Sequence, residues 1–274
     1  MTKAMRRVTT VPRLPERPRD GHKGTFGTVL LVAGSAAMPG AAILAAQGAL
    51  RGGAGLVRLA LPAPLRVPLA CAVPCATTVL RTPASLRTAL AAATAVVAGP
   101  GLGFAPTTRR LVSLLLQASR GPVVLDADAL NALAPLRAPL AARVPVILTP
   151  HPGEAARLLG TTTAAVQRDR RAALAALCAR SGAVVVLKGQ GTLVGDGARW
   201  FRNRTGNPGM ATGGAGDVLA GLLGALLAQG MPPFAAAVLA VHAHGAAGDR
   251  VAARLGQAGL IASDLPLAIA EVLR

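Results

Sequence analysis

Acidic residues are scarce in this sequence. The 274-residue chain carries 11 Asp and Glu against 29 Lys and Arg, a formal net charge of +18. Lysine is also rare: only Lys3, Lys23 and Lys188 occur, so the positive charge is nearly all arginine. Such a charge draws polyanions and nucleotides. The arginines are spread along the chain rather than bunched into one run, as a surface loaded by composition or a site for a phosphate-bearing ligand would have them. Aromatics make up 2% of the residues, with one Trp and no Tyr. A nucleic-acid platform of stacked rings is thereby excluded. Three cysteines (Cys71, Cys75, Cys178) form no disulfide framework and no metal-like pair of pairs, which points to a reducing compartment, the cytoplasm. Long uninterrupted apolar runs are missing too. Residues 218–248 lack any Asp, Glu, Lys or Arg, yet Gln229-Gly230-Met231-Pro232-Pro233 breaks the stretch. A membrane span needs about 20 apolar residues in a row. Two buried helices joined by a turn are the expectation.

Apolar residues are abundant, at 52%, with a mean hydropathy of +0.50, which excludes intrinsic disorder. Short β-branched runs alternate with Ala/Leu-rich segments. The predicted strands are Thr28–Ala33, Leu56–Leu61, Ala95–Ala98, Val123–Asp126, Val146–Thr149 and Ala183–Lys188. Several are apolar throughout, as strands covered on both faces are. Predicted helices cover 39–51, 106–119, 152–159, 163–180, 214–229, 234–254 and 264–273, with Thr162 or Thr163 and Ser263 as caps. Strand–helix alternation with short connections gives an α/β fold: a mostly parallel sheet with helices on both faces. The segment GTLVGDGARWFRN adds an antiparallel hairpin turning at Gly195-Asp196-Gly197. Residues 1–20, basic and Pro-rich, read as a flexible leader, and 21–274 as one domain.

In such sheets ligands gather at the carboxyl ends of the strands. The segment GNPGMATGGAGD (206–217) holds five glycines and an Asp directly before an apolar helix. Glycines admit backbone N–H groups close to a ligand, and a helix N-terminus offers unpaired donors and a positive dipole end. The combination is an anion hole suited to a phosphoryl group under attack. Asp217, in the first turn, is placed to position a hydroxyl and accept its proton. No Walker pattern occurs, and Gly99-Pro100-Gly101-Leu102-Gly103-Phe104 lacks the last glycine of a dinucleotide fingerprint, so it reads as a glycine loop or a plain turn. Asp126 and Asp128 end a strand and serve either a water-coated Mg²⁺ or the cap of the next helix. His151 and Glu154 read as a hydrogen-bonding rim His and a helix-starting acid rather than a metal pair. A lysine that ends a buried strand, Lys188, calls for an anion or for an escape of its ammonium to solvent. His22-Lys23-Gly24 is a weak candidate for a phosphate clamp, and His242 and His244, on different sides of one helix, read as packing residues.

Taken in order, HKGTFGTVLLVAGS (22–35), PGAAILAAQGALRGGAGLV (39–57), AGPGLG (98–103), VLDADALNAL (124–133), TPHPGEAARLLG (149–160), VVLKGQGTLV (185–194) and NPGMATGGAGDVLAGLLGALLAQG (207–230) resemble the ADP-dependent NAD(P)H-hydrate dehydratase family, a branch of the ribokinase-like superfamily. The likeness runs from about 22 to 273; Ala215 stands where the family more often has Thr. The resemblance implies a three-layer ribokinase-like fold and repair of the S epimer of hydrated NADH or NADPH. ADP with Mg²⁺ phosphorylates the ring hydroxyl, phosphate then leaves, and NAD(P)H and AMP remain: a lyase outcome on a kinase architecture. It implies Asp217 as the base at the hydroxyl. Ala41, Gly101, Gly103 and His151 are implied to touch the hydrate. Lys188, Gly189, Gln190, Gly191 and Thr192 are implied to lie along the nucleotide, with Gly213, Gly214 and Gly216 lining the anion hole. It further implies a homotetramer working with an NAD(P)H-hydrate epimerase, with neither nucleic acid nor membrane as partner. No epimerase-like segment is present in the sequence, so dehydration alone is implied. The competing reading is a small-molecule kinase of the same superfamily, such as one acting on a thiazole alcohol.

Overall fold

The computed structural model describes residues 5–274. Ten strands form a single sheet: β1 (Arg6–Val8), β2 (Thr28–Val32), β3 (Leu56–Leu61), β4 (Thr77–Leu80), β5 (Ala95–Ala98), β6 (Val123–Leu125), β7 (Val146–Leu148), β8 (Val184–Leu187), β9 (Leu193–Gly195) and β10 (Arg199–Arg202). Their spatial order is β1-β10-β9-β8-β7-β6-β5-β2-β3-β4. All pairings are parallel except the two that β9 makes, with β8 and β10. The expected hairpin is therefore present, and it returns the chain to the common direction.

The helices are α1 (Pro39–Arg51), α2 (Arg66–Ala72), α3 (Pro83–Ala91), α4 (Pro106–Ala118), α5 (Ala127–Leu133), α6 (Pro152–Leu159), α7 (Thr163–Arg168), α8 (Arg170–Ser181), α9 (Ala215–Ala228), α10 (Pro233–Leu255) and α11 (Leu265–Val272). They cover the sheet in two layers, and the eight strands between the edges β1 and β4 feed both. In β2, Val29 and Leu31 join the core built on α1, α9, α10 and α11, while Leu30 and Val32 join the one on α3, α4, α5, α6 and α8. This two-residue alternation explains why a strand buried on both faces is apolar throughout. Helix α9 is the centre of the first layer, buried at every position from Val218 to Ala228. It lies against α1 at van der Waals distance because glycines face each other's backbone: a Cβ on Gly221 would stand 1.9 Å from the Ala45 carbonyl oxygen, and one on Gly48 2.3 Å from that of Val218.

The structure departs from the sequence reading in several places. Part of the expected leader is seated on the sheet within the described residues. β1 pairs with β10 through Arg6–Arg199, Arg7–Trp200 and Val8–Phe201, and Val8, Val11 and Leu14 pack on the core. Three apolar residues spaced among prolines and arginines suffice to seat an extended segment where no helix would form. The expected 163–180 helix is broken at Asp169, whose carboxylate accepts from the Ala172 N–H and starts α8 afresh. Thr162 does cap α7, accepting from Ala165. Ser263 does not cap α11; Asp264 instead accepts from the Ile261 N–H around a short 3₁₀ turn. Strand β4 and helices α2 and α3 escaped the reading, being short and half-exposed. The charge-poor stretch 218–248 is divided between α9 and α10, and among the described residues no helix is long and apolar enough to cross a membrane.

Candidate active site

The sheet brings the carboxyl ends of β5, β6, β7 and β8 to one rim, and the N-terminus of α9 opens onto it. Gly214 immediately precedes the helix with φ of 93°. This left-handed backbone suits glycine and turns the chain sharply into α9. The Ala215 N–H reaches the Thr212 carbonyl at 3.5 Å, and Val218 N–H returns to Gly214. The amides of Gly213, Gly214, Gly216 and Asp217 have no backbone acceptor among the described residues. They are the open donors an anion hole requires. The first turn is held from behind by His244 of α10, which is buried with Nε2 2.9 Å from the Ala215 carbonyl oxygen. Burial brings the His244 pKa down to about 4, so the ring is neutral and donates through Nε2–H.

Beside these amides sits a cluster of charge. Lys188 leaves the end of β8 and places its ammonium 2.7 Å from Asp126 Oδ1 and 4.0 Å from Glu154 Oε2. Asp126 also accepts from the Thr149 hydroxyl at 2.6 Å. Burial opposes the Lys188 charge, but Asp126 and Glu154 outweigh it, and the ammonium holds its proton more tightly than an ordinary lysine. Asp217 faces the same cluster. Burial first, then the field of Asp126, raises its pKa to about 7, with Lys188 working the other way. A carboxylate poised near neutrality is fit for proton transfer. Glu154 is likewise pushed up by burial, against the pull of Lys188.

His151 and Glu154 form a reciprocal cap on α6. His151 Nδ1 accepts from the Gly153 and Glu154 amides at 3.0 and 3.4 Å, and Glu154 Oε2 accepts from the His151 N–H at 2.8 Å. Nδ1 is therefore the unprotonated nitrogen. Burial and then Lys188 lower the His151 pKa, so the ring is neutral, with its Nε2–H edge half-exposed at the rim.

A family model described as NAD(P)H-hydrate dehydratase matches residues 29–270. The chain is 45% identical to the ADP-dependent (S)-NAD(P)H-hydrate dehydratase of Neisseria meningitidis serogroup B, over 91% of this chain and 86% of that protein. The chain belongs to the NAD(P)H-hydrate dehydratase family. It is also 45% identical to the bifunctional NAD(P)H-hydrate repair enzyme Nnr of Moorella thermoacetica, over 96% of this chain but only 52% of that protein, so it spans about half the length of such relatives. Among solved structures, the ADP/ATP-dependent NAD(P)H-hydrate dehydratase of Bacillus subtilis, co-crystallised with ATP/Mg²⁺, superposes with a TM-score of 0.86 at 34% identity, covering 95% of this chain and 93% of that one. The fold is ribokinase-like, as the sequence motifs imply.

Of the positions expected to meet a hydrate, two lie together in the fold. Gly101 lies against Ala41: a Cβ on it would stand 2.8 Å from the Ala41 Cβ. The Gly103 N–H donates to Asp128 Oδ2 at 2.8 Å. The positions expected along the nucleotide form the loop between β8 and β9. Thr192 Oγ1 donates to the Gly189 carbonyl, Gln190 is exposed, and Gly189 and Gly191 back onto the guanidinium groups of Arg170 and Arg202. Gly216 sets the first turn of α9 beside Lys188, since a Cβ there would come within 3.2 Å of the ammonium.

Other expectations need correction. Asp126 and Asp128 do not cap α5; one is taken by Lys188 and Thr149, the other by Gly103. The ammonium of Lys188 meets carboxylates of the protein itself. The clamp proposed at His22–Gly24 lies at the wrong end of the molecule. It precedes the amino end of β2, where Gly27 abuts the Ala228 carbonyl at the far end of the 14-residue α9, about 17 Å along the helix from Asp217. Glu154, Thr149 and Arg170 are members of the site that sequence reasoning did not assign to it. Thr149 and Glu154 carried a legible signal, being polar residues just past a buried strand. Arg170, which donates to the Leu187 and Lys188 carbonyls from α8, carried none.

Proposed function

We propose that the chain dehydrates the S epimer of hydrated NADH or NADPH, using ADP and releasing AMP and phosphate. The observation that carries the reading is the pairing of the open amides ahead of α9 with Asp217, a carboxyl whose pKa stands at about 7. The ring hydroxyl lies against Asp217 and gives up its proton as its oxygen attacks the β-phosphorus of ADP; the P–O bond to AMP breaks. The amides of Gly213, Gly214, Gly216 and Asp217 face the charge that builds on the transferring group. Phosphate then departs with the C–O bond electrons, the ring nitrogen lone pair assists, and the neighbouring ring carbon loses a proton to restore the double bond. Hydroxide is a poor leaving group; phosphorylation removes that obstacle.

Mg²⁺ enters with the nucleotide in this reading. Among the described residues no cluster of three or more His, Cys, Asp or Glu is arranged as a metal cage. The carboxylates of Asp126, Glu154 and Asp217 act on one another electrostatically, and as hard oxygen donors they would hold a hydrated cation through its water. The cation would offset the charge of the phosphates against that of the carboxylates. The enzyme is further proposed to work in the cytoplasm as a homotetramer, beside an epimerase that converts the unreactive epimer.

The test is recovery of the reduced-ring absorbance when the protein meets hydrated NADH, ADP and Mg²⁺. A stable phosphoester in place of AMP and free phosphate would instead identify a kinase. Asp217→Asn is expected to lower kcat by about a hundredfold or more while ADP still binds. Turnover within a few-fold of the parent would remove Asp217 from the role of base.

A further inference from the structure

Arg81 follows β4, and its guanidinium reaches back across the end of β3 to the loop that follows β2. Nη1 donates to the Gly34 carbonyl at 2.8 Å and more weakly to that of Ala33 at 3.4 Å. The Gly34 N–H in turn donates to the Pro100 carbonyl, beside Gly101. The guanidinium thus sits two hydrogen bonds from the wall of the hydrate site, on the side away from the β8–β9 loop.

It is half-buried, yet no carboxylate lies within ion-pair distance among the described residues. Burial alone acts on its pKa, which is lowered from the ordinary arginine value with no acid to offset it. Nε and Nη2 make no hydrogen bond among the described residues, and neither is a buried unsatisfied atom, so this edge of the fork opens to solvent. On the same loop, the Ser35 hydroxyl is buried without any partner. A half-buried guanidinium without a counter-ion is costly. It becomes favourable if an oxyanion arrives at its open edge.

We propose that Arg81 receives a phosphate of the dinucleotide substrate. This rests on the dehydratase reading above. The reacting ring must lie at Asp217, and the adenine nucleotide co-substrate is assigned to the β8–β9 side. The remainder of the hydrate then runs outward over β2 and β3, where Arg81 waits. The carboxylate cluster repels phosphates; Arg81 gives the dinucleotide a cation on its own side of the site.

The test compares Arg81→Gln and Arg81→Lys with the parent, using hydrated NADH, hydrated NADPH and, as a phosphate-free control, hydrated reduced nicotinamide riboside. Arg81→Gln is expected to raise KM for the dinucleotide hydrates about tenfold or more, with kcat and the KM for ADP much less affected. Arg81→Lys should recover part of the loss. The ratio of kcat/KM for dinucleotide over riboside hydrate should fall by a similar factor. A KM increase confined to the NADPH hydrate would assign the 2′-phosphate, and an equal increase for both the diphosphate. Equal losses with dinucleotide and riboside hydrates, or KM values within twofold of the parent, would overturn the proposal. If the parent itself fails to restore NADH, it is the dehydratase reading that falls.

Discussion

At the scale of single residues, the site is a problem in charge. Four of the chain's eleven acids, Asp126, Asp128, Glu154 and Asp217, lie within electrostatic reach of one another, with one lysine among them. Lys188 is spent on Asp126 and Glu154 rather than left free for a ligand. Its presence keeps Asp126, only 2% exposed, from being a buried lone charge. Asp217 has no such direct partner among the described residues, and burial, then the field of Asp126, raises its pKa to about 7. The base must be ionised to accept a proton, so kcat/KM should climb as pH rises through about 7 and level off above it. A profile already flat from pH 5 upward would mean that Asp217 is ionised throughout and its environment is different. Asp217 and Lys188 were legible in the sequence because each sits at the end of an apolar element, where a charge is expensive without a purpose. The partner of Lys188 was not legible. Asp126 is 62 positions away, and only the adjacency of β6, β7 and β8 joins them.

At the scale of elements, α9 does two things. Its N-terminus supplies the open amides, and its body locks them to the rest of the protein by burying eleven consecutive residues, Val218–Ala228. The close approach to α1 depends on Gly221 and Gly48, which leave no room for a side chain. Gly221→Ala should cost roughly 1–3 kcal/mol or more, because the methyl would meet the Ala45 carbonyl and force the helices apart. Gly40→Ala in α1, where nothing stands within 4 Å, is the control and should be neutral or stabilising. Denaturant midpoints distinguish the two; equal midpoints would show that α1 and α9 have slack between them. The existence and limits of α9 were clear from its apolar run between a glycine loop and a Gly-Met-Pro-Pro break. That α1 is its partner was not, since small residues face each other there and leave no periodic large-residue stripe to read.

At the scale of the whole molecule, the single sheet sets the two halves of the site side by side. The positions assigned to the hydrate belong to the connections after β2, β5 and β7, and those assigned to the nucleotide to the connection after β8. The glycine loop leading into α9 lies between. The far edge carries a different load. Residues 6–8 extend the sheet beyond β10, and Arg7 and Arg171 both lie over the Trp200 ring, at 5.5 and 4.6 Å from its centre. Deleting residues 1–20 should therefore lower stability by roughly 1–3 kcal/mol, through the exposure of the β10 edge and the loss of Val8, Val11 and Leu14 from the core. Turnover per folded molecule should stay within a few-fold of the parent, because this edge is remote from Asp217. Thermal melting with and without the segment decides it; an unchanged melting temperature would mean that β1 adds nothing.

The order of strands and helices, the apolar body of α9, the glycine loop and the single Asp behind it could all be read locally, because each depends on short-range patterning and backbone freedom. Which carboxylates surround Lys188, which histidine props the first turn of α9, and which arginine faces the substrate side could not. Those relations join residues tens of positions apart, and they exist only because parallel pairing sets distant strand ends on a common rim.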